Sequence, residues 1–321
     1  MTNVLVVGPF KEEQRKRIEE AGKGCSFRFC ADFAGAGVSP GEIASADVII
    51  GNLIPMLIKE SPRLKLMQLT SAGADAYVKP GVLARGTVLC NSTGAYNKTV
   101  SQHALAVTLA MQKKLYLYRD NQNENLWRDE GEVGSIADST VLVMGLGEIG
   151  IAYAKMCKAL GAYVIGVKRR PSACPEGIDE VYTMDRLDEV LPKADIVFSI
   201  LPGTSATYHI YTAERFRLMK KSAIFINCGR GDAVENEVLF DALKNGEIAA
   251  ASIDVAEGEP LPADSPLWGL KNLFITPHVA GFFHIPDTLE IITDIACHNL
   301  NAYLTGGSYR NIVDFSTGYK A

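Results

Sequence analysis

Long uncharged apolar stretches, paired cysteine motifs and blocks of like charge are all missing from this 321-residue chain, and each absence removes a class of function. No apolar run approaches the roughly 20 residues that a membrane-spanning helix needs. Lys and Arg number 32 against 37 Asp and Glu, a formal charge of -5, and no run of five or six like charges occurs. Without a basic stripe to displace counterions, nucleic acid is not an expected partner. The seven cysteines (25, 30, 90, 157, 174, 228 and 297) are odd in number, scattered and never spaced as CxxC. That pattern fits neither a disulfide framework nor a structural zinc site, so no metal is expected and reduced thiols in a cytoplasm are. The chain opens directly on Val4-Leu5-Val6-Val7, with no basic region before it and no cleavage-site pattern after it, which again leads us to expect a cytoplasmic protein.

What is present is apolar residue in quantity. At 47% hydrophobic over this length, the chain can bury two cores, so a two-domain enzyme is the expectation. Over the first hundred residues, short apolar runs (Val4 to Val7, Val48 to Ile50, Leu64 to Leu69, Thr87 to Cys90) alternate with helix-like or loop-like stretches such as Lys11 to Ala21. Alternation of this kind predicts a small parallel α/β unit. From Val100 to Arg119 the apolar positions Ala104, Leu105, Val107, Leu109, Met111 and Leu115, uninterrupted by Gly or Pro, predict one long buried helix bridging two domains. Six further strand-like runs follow, at Thr140 to Met144, Tyr163 to Val167, Ile196 to Leu201, Ala223 to Asn227, Ala250 to Val255 and Leu273 to Thr276. With helical segments between the earlier ones, they describe a doubly wound dinucleotide fold. The segment Pro286 to Leu304 has helical periodicity, and no repeat or low-complexity tract interrupts the chain.

Gly145-Leu146-Gly147-Glu148-Ile149-Gly150 is a GxGxxG string placed between the run Val141-Leu142-Val143 and a helix that stops before Gly161. Alone, the string also reads as a glycine-rich turn. In this setting each glycine has its own use, the first for a tight turn, the second for close backbone approach to a pyrophosphate, the third for close packing of helix on strand. The helix N-terminus would then meet the phosphate charge with unpaired amides. At the end of the next strand, where a carboxylate ordinarily reads the ribose of NAD, stand Lys168, Arg169 and Arg170. Three cations suit a 2'-phosphate, so NADP(H) is expected in preference to NAD(H), NAD remaining possible; the bland alternative is a solvated basic strand end.

Reducing a ketone with a nicotinamide calls for a cation on the carbonyl oxygen and an acid to protonate the alkoxide. Three segments beyond strand ends supply candidates: Asn227-Cys228-Gly229-Arg230-Gly231, Asp254-Val255-Ala256-Glu257-Gly258-Glu259-Pro260 and Thr276-Pro277-His278-Val279-Ala280-Gly281. Taken singly, Arg230 reads equally well as a structural ion pair, Glu259 as a solvated loop acid and His278 as a capped loop histidine. The guanidinium, unlike an ammonium, can fork onto a carboxylate and a neighbouring oxygen together, and a histidine beside a carboxylate keeps its proton near neutral pH. His103, His209 and His298 fall in helix-like or connecting stretches and read as packing or surface residues; His284, with Phe282 and Phe283, reads as either pocket-lining or hinge.

In this order, downstream of GxGxxG, the three segments resemble the signature blocks of the D-isomer-specific 2-hydroxyacid dehydrogenases, and the glyoxylate/hydroxypyruvate reductases among them. Ser71-Ala72-Gly73-Ala74-Asp75 resembles that family's carboxylate-binding loop, and Leu201-Pro202 matches its fourth nucleotide-domain strand end. The resemblance implies that Arg230, Glu259 and His278 are catalytic, with His278 the proton donor, Glu259 its partner, and Arg230 on the substrate's carboxylate and carbonyl. It implies that the amides of Ala72 and Gly73 hold the carboxylate, that Asp254 accepts from the nicotinamide carboxamide, and that Cys228 is a small residue fitted near that ring. It also implies a two-domain α/β fold: a Rossmann-type sheet over residues 101–286, inserted in a smaller flavodoxin-like substrate domain of residues 1–100 and 287–321. A homodimer and reduction of a small 2-oxo acid to its D-2-hydroxy acid are implied too. The competing readings are formate or phosphite oxidation on the same scaffold and a dinucleotide-sensing, corepressor-like binding protein. One departure stands out: Val100-Ser101-Gln102-His103 occupies the place where many members carry Val-Ala-Glu, so Gln102 lacks a carboxylate that often makes structural contacts.

Overall fold

The computed structural model describes residues 1–32, 35–59, 61–171, 173–316 and 318–320. The chain separates into two compact units, Met1–Tyr96 with Phe283–Ala321, and Asn97–Phe282.

In the first unit five strands, β1 (Asn3–Val7), β2 (Ser26–Cys30), β3 (Val48–Ile50), β4 (Leu66–Gln68) and β5 (Val88–Cys90), form a parallel sheet in the order β2-β1-β3-β4-β5. That is the flavodoxin-like order. Alternate residues Leu5, Val7, Ile49, Met67 and Leu89 enter one buried cluster, because successive strand side chains point to opposite faces. The long helix Pro286–Thr305, ended by Gly306 at φ 73°, belongs to the same unit. Its buried Asn299 donates to Gln68 Oε1 at the end of β4, at 2.5 Å, and to the carbonyl of Arg310 at 3.0 Å.

The second unit holds seven parallel strands: β6 (Thr140–Met144), β7 (Tyr163–Lys168), β8 (Glu180–Thr183), β9 (Ile196–Ser199), β10 (Ile224–Asn227), β11 (Ala250–Ile253) and β12 (Leu273–Ile275). Their order is β12-β11-β10-β9-β6-β7-β8. Chain order reverses between β6 and β9, the switch point at which such sheets bind ligands beyond the strand ends. Both faces are covered: Leu142, Met144, Ile165 and Phe225 enter one core cluster, while Val141, Val143, Val164 and Ile226 enter the other. That is why the central strands read as mostly apolar runs instead of alternating ones. The doubly wound fold expected from the sequence is the fold observed.

Three local expectations need correction. The stretch from Val100 to Arg119 is not one helix but two, Asn97–Gln112 and Leu115–Asn123, separated where Lys114 takes a left-handed φ of 53°. Tertiary bonds end the first helix: the Gln112 carbonyl accepts from Gly134 N at 3.0 Å, while the Lys113 and Lys114 ammoniums donate to the carbonyls of Gly134 (2.8 Å) and Glu130 (2.5 Å). Two strands, β2 and β8, have no counterpart among the runs expected from the sequence. Both lie at sheet edges, where the sequences SFRFC and EVYT mix polar with apolar residues because one side of the strand has no neighbour.

Candidate active site

The turn after β6 is built as its three glycines require. Gly145 has φ 104°, a region closed to most side chains, and a Cβ there would lie 2.9 Å from the Ile200 carbonyl oxygen. At Gly150 a Cβ would stand 2.0 Å from the Gly145 carbonyl oxygen and 3.2 Å from Val143 Cγ1, so only glycine lets the helix Glu148–Ala159 seat on its strand. Gly147, at the N-cap of that helix, has open space where a Cβ would be. Room above exposed N-terminal amides is what a pyrophosphate needs, so these residues fit a dinucleotide. Leu146 packs on Gly166 of β7, Ile149 is half-buried, and Glu148 accepts from Asn97 Nδ2 at 2.6 Å. Substituting Gly150 by alanine is expected to cost roughly 1–3 kcal/mol of stability through overpacking. Dinucleotide binding should weaken with it; thermal melts with and without cofactor check both.

β7 ends at Lys168, half-buried, and Arg169 and Arg170 follow it, exposed. Among the described residues no carboxylate forms an ion pair with Arg169 or Arg170.

Beyond β10, the fully buried Asn227 shapes the next segment: its Nδ2 donates to the Arg230 carbonyl at 2.9 Å and its Oδ1 accepts from Gly229 N at 3.0 Å. A Cβ on Gly229 would stand 2.5 Å from the Leu201 carbonyl oxygen, and one on Gly231 2.0 Å from that of Ala256. The backbone on either side of Arg230 is thus wedged against the segments that follow β9 and β11. Arg230 runs its stem beside Gly203 and donates Nη1 to the Gly229 carbonyl at 2.8 Å. Cys228 donates its amide to the Ser199 carbonyl at 3.0 Å, and burial pushes its thiol far above the ordinary cysteine range. A thiol so held is no nucleophile at neutral pH. Pro202, after Leu201, is half-buried, and its carbonyl accepts from Thr207 Oγ1.

Beyond β11 lies Asp254, 4% exposed, with its Oδ1 accepting from Thr276 Oγ1 (2.6 Å) and Val279 N (3.0 Å) and its Oδ2 from Ala280 N (3.0 Å). Three donors on one carboxylate leave room for about one more. Asp254 therefore organises the loop beyond β12, and its backbone carbonyl also takes the amide of His278 at 2.7 Å. His278 itself has φ 54°, a strained setting for a non-glycine residue that surrounding bonds sustain.

The sequence separates His278 and Glu259 by 19 residues; the fold brings Nδ1 and Oε2 to 2.6 Å. Both side chains stay accessible, at 52% and 37% exposure. The hydrogen bond to Glu259 raises the His278 pKa above its ordinary value, against burial and the nearby Arg230, which lower it. Burial pushes Glu259 upward, but its bond to His278, the Ala256 amide on its Oε1 at 3.1 Å and the charge of Arg230 together leave it lowered. Among the described residues no partner occupies His278 Nε2, so a proton carried there can be given away. The fold thus gathers Arg230, Glu259, His278 and Asp254 on neighbouring strand ends of one sheet.

Ala72 and Gly73 belong to the other unit. Their loop is held from behind: Asn91 Nδ2 donates to the Ala72 carbonyl (2.7 Å), Ser71 Oγ to that of Gly73 (2.6 Å), and Asn52 Oδ1 accepts from Thr70 N (2.9 Å). Among the described residues nothing accepts from the amides of Ala72 or Gly73, two adjacent donors available to an anion.

Two histidines have partners that sequence reasoning did not identify. His103 Nε2 sits 3.4 Å from Thr276 Oγ1, and burial lowers its pKa. His209 bridges two carboxylates, Glu235 and Glu257. Neither carries a motif, and their partners lie 173 and 48 residues away. His284 falls in the first unit, exposed, just ahead of the helix Pro286–Thr305. Among the described residues no cluster of three or more His, Cys, Asp or Glu is arranged to hold a metal ion, and no helix is long and apolar enough to cross a membrane.

A glycine turn at the switch point of a doubly wound sheet, with an Arg and a Glu-paired His on strand ends beyond it, defines a nicotinamide-dinucleotide dehydrogenase. The chain belongs to the D-isomer specific 2-hydroxyacid dehydrogenase family, whose NAD binding domain model matches residues 105–280. It is 31% identical to glyoxylate/hydroxypyruvate reductase B of Escherichia fergusonii, covering 84% of this chain and 85% of that one. Among solved structures it resembles a D-isomer specific 2-hydroxyacid dehydrogenase family protein of Aeromonas salmonicida, at TM-score 0.84 and 30% identity over 98% and 99% of the two chains. It also resembles an NADPH-dependent glyoxylate/hydroxypyruvate reductase of Sinorhizobium meliloti in complex with NADP and sulfate, at TM-score 0.83 and 27% identity over 99% and 100%.

Proposed function

We propose that this protein is a cytoplasmic reductase of small 2-oxo acids, yielding D-2-hydroxy acids, with glyoxylate or hydroxypyruvate as substrate and NADP(H) preferred over NAD(H). The observation that carries the reading is the His278–Glu259 pair at 2.6 Å with the Arg230 guanidinium close enough to act on both. The bound reduced nicotinamide supplies the hydride. Gly145, Gly147 and Gly150 admit the pyrophosphate, Lys168, Arg169 and Arg170 hold the 2'-phosphate, and Asp254 has capacity for one further donor. Arg230 polarises the substrate carbonyl and takes its carboxylate, and His278 delivers a proton from Nε2 to the alkoxide oxygen. Glu259 keeps that proton on the ring until it is needed. The relatives named as glyoxylate/hydroxypyruvate reductases and the NADP complex of one of them support the substrate class and the cofactor. All seven cysteines are free thiols, which supports a reducing compartment.

The test is oxidation of NADPH and NADH, followed by absorbance, against glyoxylate, hydroxypyruvate, pyruvate and bulkier 2-oxo acids. Fast turnover of a small member with NADPH is expected. Replacing Arg169 and Arg170 together by alanine should lower the NADPH-over-NADH preference by about tenfold to a hundredfold, the worth of one or two charged hydrogen bonds. Equal efficiency with both cofactors in the unaltered protein removes the NADP assignment; silence across the panel with tight dinucleotide binding removes the reductase.

We further propose a homodimer through the nucleotide-binding unit. Leu115, Leu126, Trp127 and Val133 are exposed there, the Trp127 side chain completely, on a segment folded back along the helix Leu115–Asn123 by Asn121–Glu130 and Tyr118–Asp129 bonds. A concentration of large apolar side chains on one surface segment marks an association site. Light scattering should return twice the chain mass; a stable species of 34.7 kDa would refute the dimer.

A further inference from the structure

His209 stands outside the group of residues assigned a chemical role, yet it is held on several sides. Its backbone is left-handed at φ 48°, a conformation that a non-glycine residue keeps only when its surroundings enforce it. Its ring lies against that of Tyr208, with centroids 3.8 Å apart. Nδ1 is 2.7 Å from Glu235 Oε1 and Nε2 is 2.6 Å from Glu257 Oε1, so both ring nitrogens meet carboxylate oxygens. Nε2 is hydrogen-bonded to Glu257, and Nδ1 lies within ion-pair distance of Glu235, so the ring spans the two carboxylates. The main chain joins in, with His209 N donating to the Asp232 carbonyl at 2.8 Å and Tyr211 N to that of Ala233 at 3.0 Å.

The two carboxylates lie on different segments. Glu235 ends the stretch that begins with Arg230; Glu257 sits two residues before Glu259. The turn from Ala256 to Glu259 is closed on itself, since Glu259 Oε1 accepts from Ala256 N at 3.1 Å around Gly258, which has φ 75°. Its outer rim is gripped at one residue, where His209 takes the Glu257 carboxylate and Asn236 Nδ2 the Glu257 carbonyl at 2.8 Å. A closed turn moves as a piece, so a shift at Glu257 carries Glu259 with it. Glu259 can orient His278 only while its Oε2 stays aligned with Nδ1, and alignment of this kind tolerates errors of about half an ångström.

The geometry points to His209 as a positioning residue: by bridging Glu235 and Glu257 it locks the segment bearing Arg230 to the turn bearing Glu259, and so fixes the Glu259–His278 pair. This rests on the proposed reductase chemistry only for its kinetic consequence. An isolated surface ion pair would contribute little. This bridge differs because it joins three segments that follow β9, β10 and β11, and because two of them carry the reacting groups.

The test follows His278 directly. With five histidines in the chain, ring-proton NMR resolves each one across a pH titration. The groups facing His278 are Glu259, Arg230 and Asp254. In His209→Leu, the His278 midpoint is expected to fall by about half a pH unit or more, a partial version of the fall in Glu259→Gln. Turnover of the 2-oxo acid should fall about tenfold through loss of alignment, with the dinucleotide dissociation constant unchanged. Glu257→Gln keeps an acceptor for Nε2 and should behave as the unaltered protein, whereas Glu257→Leu should reproduce His209→Leu; this pair carries the test should His209→Leu not fold. An unchanged His278 midpoint in the folded leucine variants, whatever happens to their melting temperature, overturns the proposal. Absence of turnover in the unaltered protein defeats the proposed function instead, and leaves the NMR comparison readable.

Discussion

Replacing His278 by alanine is expected to lower turnover of the 2-oxo acid by about a hundredfold to ten-thousandfold, the usual worth of a positioned general acid. Dinucleotide affinity should not move, because the glycine turn and the cations that follow β7 make no hydrogen bond to this ring. The pH profile sharpens the test. Reduction draws on the protonated ring, so kcat/KM is level at low pH and falls as pH rises through the His278 pKa. The bond from Glu259 raises that pKa above its ordinary value near 6.5, placing the descending limb on the alkaline side. Glu259→Gln removes the charge that favours the imidazolium and should move the limb to lower pH. A limb that stays in place, or an alanine variant that still turns over, would remove His278 as the acid.

Arg230→Lys is expected to lower kcat/KM by about a hundredfold to a thousandfold although the charge is kept, comparable to loss of one preorganised donor to a developing oxyanion. The shortfall is geometric. A guanidinium offers a planar fork to two oxygens, whereas an ammonium is a point charge on a flexible stem. Relaxation of the backbone cannot make up the difference, since Gly229 and Gly231 on either side already touch the carbonyls of Leu201 and Ala256. The charge also opposes protonation of His278, so Arg230→Leu should raise the His278 midpoint while Arg230→Lys leaves it nearly fixed. Efficiency within a few-fold of the unaltered protein in Arg230→Lys would mean that only charge matters at this position.

Elements buried on both faces were readable because their neighbours impose nothing contrary to local pattern: β6, β9, β10 and β11 are predominantly apolar, each covered on two sides. Edge strands carried no such signal. β2 and β8 mix charge with aromatic residues, and only pairing with β1 and β7 makes strands of them. The helix after Tyr96 was readable as a helix but not as two, because its end is set by bonds from Gly134 and to Glu130, far along the chain.

The same division runs through the site. The glycine turn and the basic end of β7 could be read from residue order, since each lies in a short string whose chemistry is local, whereas Arg230, Glu259 and His278 became catalytic candidates through the order of their strings and the family they resemble. Packing was needed to establish that Asp254 spends three acceptor positions on the loop of His278, that among the described residues nothing accepts from the amides of Ala72 and Gly73, and that His209 bridges Glu235 to Glu257. The reason is physical: a hydrogen bond is set by where two atoms come to rest, and for residues tens of positions apart that is a property of the packed sheet, not of the residues around either one.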